Sequence, residues 1–141
     1  MIAVDTNVLL RYLLEPLDAN NPNWQIIAAR NVIDQADKVL ITDIVIAEME
    51  WVMESVFELS SEDIAHLIQT LANNACFQFE DWPALQSALM DYREYPHVDL
   101  SDCLIARRAK NQGASTLYTF ESDKKLGALP CATSLKPPKA C

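Results

Sequence analysis

Acidic side chains recur in this chain where apolar runs end. Ile2-Ala-Val4 closes on Asp5, and Thr6, Asn7 and a second apolar run follow at once. That pattern reads as a short buried strand ending in an acid, then a helix start. Glu48 lies within the helical stretch Ile44–Leu59, Asp99 and Asp102 open another helix, and Glu121 and Asp123 follow Leu117-Tyr-Thr119-Phe120. In an open parallel sheet, chemistry collects at the carboxyl ends of the strands. Three or four carboxylates converging there would repel one another unless a cation were present. Hard, oxygen-preferring ions such as magnesium or manganese suit them, held by few protein ligands and several waters. Such a site fits phosphodiester hydrolysis, with a water activated near neutral pH.

The elements that must position these acids alternate along the chain. Strands are predicted at Ile2–Val4, Val39–Ile41, Phe77–Phe79, Leu117–Thr119 and Cys131–Thr133. Helices are predicted near Val8–Leu14, Trp24–Ala36, Ile44–Leu59, Ser61–Asn73, Trp82–Tyr95 and Ser101–Gln112. This alternation implies βαβ units and a parallel sheet. Pro16–Asn23 reads as a loop, and Gly113 sits where a helix C-cap belongs. One domain is expected over residues 1–135, with 136–141 as a flexible tail.

Each acid also has a structural reading. On a helical wheel Ile44, Val45, Trp51, Val52, Ser55, Val56 and Leu59 fall within about 80° of Glu48. Glu48 is therefore expected in the middle of a buried stripe, with Glu50 on the polar side. A buried carboxylate must be paired, protonated or metal-bound; Arg11 is one available partner. Asp99 and Asp102 have the spacing of a capping-box-like pair. Ser122 or Asp123 can cap a short helix running through Leu126.

Bulk composition narrows the classes. Half of the 141 residues are hydrophobic and 22% are charged, as expected of a globular fold. No stretch approaches the ~20 apolar residues of a membrane span, and Asp5 interrupts the opening run, so a cytoplasmic protein is expected. Cys76, Cys103, Cys131 and Cys141 lack CxxC spacing and, with His66 and His97, make no zinc pattern. Two glycines exclude the phosphate-cradling GxxxxGK[ST] and GxGxxG loops. No Ser-His-Asp or Cys-His arrangement competes as a nucleophile. The net charge of −9 argues against a nucleic-acid partner, but its distribution is uneven. Residues 1–100 hold 4 Lys/Arg against 17 Asp/Glu, whereas residues 101–141 hold 7 against 3. Such asymmetry can give one face that tolerates a polyanion.

Val4-Asp5-Thr6-Asn7-Val8-Leu9-Leu10-Arg11-Tyr12-Leu13 resembles the opening motif of PIN-domain ribonucleases, above all the VapC-type toxins of prokaryotic toxin–antitoxin pairs. Ile44-Val-Ile-Ala-Glu48 resembles the family's second motif and Asp99-Leu-Ser-Asp102-Cys-Leu-Ile-Ala its third. Thr119-Phe120 followed by acids resembles the fourth. The resemblance implies a three-layer α/β/α sandwich around a central parallel sheet of four or five strands. It implies magnesium- or manganese-dependent endoribonuclease activity on RNA, a homodimer, and a cognate antitoxin protein as partner. Asp5, Glu48 and Asp102 are its metal-binding acids, with Thr6, Asn7 and Thr119 supporting them through hydrogen bonds. The fourth acid is either Glu121, replacing the Asp that usually follows Thr-Phe, or Asp123 after a two-residue insertion; the Asp123-Lys-Lys-Leu continuation leans toward Asp123. The loop Pro16–Asn23 is longer than the family's usual link. The alternative is a PIN-like module without strong catalysis that serves in assembly or RNA binding. A receiver-like domain would need an acid pair near the first strand and a phosphorylatable Asp ending a later one, which Thr42-Asp43 does not supply cleanly. A dehalogenase-type phosphatase would need Asp where Asn7 stands.

Overall fold

Short apolar runs bounded by residues with side-chain hydroxyls, amides or carboxylates set the elements of this chain. The computed structural model describes residues 1–14 and 23–139. They form strands β1 (Ile2–Ala3), β2 (Val39–Ile41), β3 (Phe77–Phe79), β4 (Leu117–Thr119) and β5 (Ala132–Ser134). The helices are α1 (Thr6–Leu13), α2 (Trp24–Asp34), α3 (Asp43–Ser55), α4 (Ser61–Ala72), α5 (Trp82–Glu94) and α6 (Leu100–Asn111), with a 3-10 turn at Leu126–Ala128. The ranges of β2, β3 and β4 match the sequence expectation. Of the expected loop Pro16–Asn23, all but Asn23 lies outside the described residues, as do the last two residues of the expected tail.

The helix starts follow from local chemistry. An N-cap side-chain oxygen accepts a backbone N–H that no helical carbonyl can reach. Asp5 Oδ1 accepts from Val8 N at 3.2 Å, Asn23 Oδ1 from Gln25 N at 2.9 Å and Asp81 Oδ1 from Ala84 N at 3.0 Å. Asp99 occupies the N-cap position of α6 but makes no side-chain cap hydrogen bond, so the expected capping box is absent. Buried Val98 and Leu100 on either side anchor the chain here and leave the Asp99 carboxylate exposed. At the far end of α6, Gly113 takes φ +94°. Its N–H bonds Lys110 O at 3.0 Å, and Ala114 N bonds Ala109 O at 3.0 Å. This is a Schellman closure, which favours glycine at its left-handed position.

The chain divides into two compact units. The first comprises residues 1–58 and 67–80, the second residues 59–66 and 81–141, with the boundary passing within α4. In the first unit, β1, β2 and β3 form a parallel sheet in that order, with Ile2 beside Val39 and Ile41 beside Phe79. Parallel strands need helical crossovers, supplied here by α1–α2 and by α3–α4. All three strands deliver their carboxyl ends to one edge. That edge carries Asp5 after β1, Asp43 after β2 and Glu80 after β3, and Asp43 N donates to Glu80 Oε1 at 3.3 Å. In the second unit α5 packs along α6, and Arg107 clamps Asp91 through two bonds of 2.7 and 2.8 Å. There β4 and β5 pair in parallel around the 3-10 turn. A Cβ on Gly127 would meet the carbonyls of Glu121 and Ser122 at 2.8 Å, so this turn demands glycine.

The expected α/β fold with helices around a parallel sheet holds; among the described residues the sheet has three strands where four or five were expected, and β4 and β5 pair as a second parallel sheet. The buried face of α3 is not the one anticipated. Val45, Ile46, Met49, Glu50 and Met53 are buried, whereas Glu48 is exposed together with Ile44, Trp51 and Val56. Apolar residues surround most of this helix, so the wheel could not decide which side was buried. Met49 and Met53, fully buried one turn apart, set the side that packs.

Candidate active site

In the first unit the site residues are built around the start of α1. Asp5 follows β1 in extended conformation and turns the chain by capping α1 through one carboxylate oxygen. A carboxylate has about four lone-pair positions, so this bond leaves acceptor capacity for a cation. Thr6 is the first residue of α1 and is 6% exposed. Its hydroxyl donates to Glu48 Oε2 at 2.7 Å, fixing a carboxylate from the second turn of α3 beside the turn that carries Asp5. Glu48 thus owes its placement to a hydrogen bond, not to the buried stripe expected of it. Glu50, expected on the polar side, is 3% exposed and partnered. Asn7, exposed, joins Asp5, Arg11, Trp24 and Gln25 in lining a cavity of about 370 Å³ along α1 and α2.

In the second unit Asp102 stands in the first turn of α6, half-buried. Burial, and then the negative charges of Glu121 and Asp99, push its carboxyl up to about 6, against partial relief from Lys125. Loss of water and nearby like charges both disfavour the ionised form. Glu121 is held in place on three sides. Its N–H donates to Thr119 Oγ1 at 3.0 Å, its Oε2 accepts from Leu126 N at 3.1 Å, and its carbonyl accepts from Ser134 Oγ at 2.6 Å. Asp123 lines a cavity of about 630 Å³ with Glu94, His97, Lys124 and Lys125. The charges of Glu121 and Asp99 thus act on Asp102, and Thr6 holds Glu48.

Asp81, at the end of β3, was not singled out in the sequence. Its carboxyl is held below the usual range by the Ala84 N–H and by Arg108, whose guanidinium lies 2.5 Å away, against the effect of burial. An acid following Phe77–Phe79 and preceding Trp82-Pro83 was the available signal. The arginine partnership, twenty-seven positions away in sequence, was not visible. Among the described residues, no three His, Cys, Asp or Glu side chains are gathered into a ready metal cage. Oxygen-only donors beside a carboxylate destabilised by like charge nevertheless suit a hard divalent ion, which keeps several of its waters.

The chain matches the model of the PIN domain over residues 2–128 and belongs to that family. It is also 27% identical over 128 residues to a VapC ribonuclease of Aquifex aeolicus (strain VF5), covering 90% of this chain and 93% of that protein.

Proposed function

We propose that this protein is a divalent-metal-dependent endoribonuclease and the toxin of a type II toxin–antitoxin pair. The observation that carries the reading is Asp102, a half-buried acid raised to about 6 among like charges on a PIN-family chain. An ionised carboxylate in that setting is relieved by a cation. By resemblance to the family's motifs, Asp5, Glu48 and Asp102 are the acids that would hold magnesium or manganese, with Glu121 as the fourth. Glu121 is preferred to Asp123 because its charge, not that of Asp123, acts on Asp102. When bound there, such an ion would supply Lewis acidity and a water activated near neutral pH.

The remaining work falls to the chain's own side chains. Thr6 holds Glu48 with its hydroxyl, so the acid does not swing with its long side chain. Thr119 and Ser134 fix the backbone that presents Glu121. Asp5 is oriented by its own helix N-terminus. The similarity to a VapC ribonuclease supports RNA as substrate and an antitoxin as partner. The exposed apolar side chains of α3, Ile44, Trp51 and Val56, support a homodimer. No helix among the described residues is long and apolar enough to cross a membrane.

The test is cleavage of single-stranded RNA with manganese, compared with EDTA and with Asp5→Asn. Cleavage that survives both sinks the proposal. A non-catalytic PIN module is the second reading, favoured by the absence of a gathered cage among the described residues. Calorimetric titration with manganese separates the two, because an inert module shows no heat that depends on Asp5.

A further inference from the structure

We infer that Tyr118 and Phe120 form a stacking platform for unpaired bases of the RNA, an inference that rests on the ribonuclease reading above. Side chains two apart on a strand share a face. Along β4 and the residue after it, Leu117 and Thr119 are half-buried, while Tyr118 is 63% and Phe120 87% exposed. Leu135 is also exposed, and its N–H bonds Thr119 O at 2.6 Å, which extends the apolar strip across to the end of β5. Single exposed apolar residues are ordinary, but two exposed aromatic side chains at alternating positions beside an exposed Leu135 are the kind of surface a ligand covers.

Three features select RNA as the occupant. Phe120 is joined directly to Glu121, the acid whose charge acts on Asp102, so the platform is continuous with the proposed site. The turn carrying Phe120 is pinned by the Thr119 and Ser134 hydroxyls, so the ring is offered from fixed backbone. Lys124 and Lys125 follow within the same turn, in the part of the chain where basic residues outnumber acids. Aromatic faces that accept bases, beside cations that neutralise phosphates, are the elements of single-strand recognition. A duplex hides its base faces and gains nothing from such a platform.

The test uses the full-length protein in EDTA and a fluorescein-labelled oligouridylate of about twelve nucleotides, within the usual single-strand site size. Anisotropy gives Kd for wild type, Phe120→Ala, Phe120→Trp and Tyr118→Ala, with circular dichroism confirming the fold of each. We expect Phe120→Ala to weaken binding about tenfold, Tyr118→Ala to weaken it less, and Phe120→Trp to stay within about threefold of wild type. Unchanged binding by both alanine variants overturns the platform. If manganese-dependent cleavage persists beside unchanged binding, the ribonuclease reading survives that failure. Binding that depends on Phe120, in a protein that never cleaves, upholds the platform and sinks the hydrolase. Unchanged RNA binding with loss of dimers on light scattering assigns the strip to a protein partner and also overturns it.

Discussion

Replacing Asp102 with asparagine should stabilise the metal-free protein, and only above the pH at which an unfolded aspartate ionises. The folded carboxyl titrates at about 6, against 3.8 for an unperturbed aspartate. Between those values the folded state holds a proton that the unfolded state has released. Stability therefore falls as pH rises through this window and levels off above it. A shift of about two units corresponds to at most about 3 kcal/mol. Asp102 is only half-buried, so solvent screening reduces the working figure to about 1 kcal/mol. The amide of the Asp102→Asn variant is neutral throughout and is spared the penalty. The assay is thermal unfolding of both proteins in EDTA from pH 4 to pH 8. The midpoints should coincide near pH 4, and Asp102→Asn should melt about 3–4 °C higher at pH 7.5. Added manganese should raise the wild-type midpoint and leave the variant nearly unmoved. A variant less stable than wild type at pH 7.5, or a difference that does not vary with pH, refutes the reasoning.

Other outcomes follow from the same geometry. Thr6→Val removes the donor that holds Glu48; manganese-dependent cleavage should fall about tenfold or more, with Thr6→Ser retaining most activity, in steady-state assays. Met49→Ala empties a fully buried position on α3 and should cost about 2–5 kcal/mol by urea unfolding. Asp81→Ala removes the cap of α5 and the Arg108 partner, and should cost about 1 kcal/mol near pH 7. Because the folded Asp81 carboxyl lies below its unfolded value, wild type should lose that advantage as pH falls below about 4. Trp51→Lys, on the exposed side of α3, should leave unfolding stability nearly unchanged but shift dimer to monomer by light scattering.

What the sequence disclosed was what local chemistry decides. Val39–Ile41, Phe77–Phe79 and Leu117–Thr119 became strands of those ranges because short runs of branched and aromatic side chains favour extended backbone. Asp5 announced itself because an acid closing an apolar run doubles as a helix cap. What failed depended on packing. The buried side of α3 is the one that carries Met49 and Met53, and a wheel with apolar residues nearly all round carries no such choice. Glu48 was singled out for a buried position it does not hold; the Thr6 hydroxyl that fixes it comes from forty-two residues away. Asp99 had the spacing of a capping box, yet burial of its neighbours turned its carboxylate to solvent. The hydrogen bonds that hold Glu121, from Leu126 N and Ser134 Oγ, come from residues five and thirteen positions further on and carry no signal in the Thr119-Phe120 motif itself.

The most direct test of the central claim is the rate of single-stranded RNA cleavage with manganese by wild type and by Asp5→Asn, each with and without EDTA. The account predicts cleavage by wild type alone, abolished by EDTA and restored by excess manganese. Equal cleavage by Asp5→Asn, or cleavage unaffected by EDTA, would contradict it.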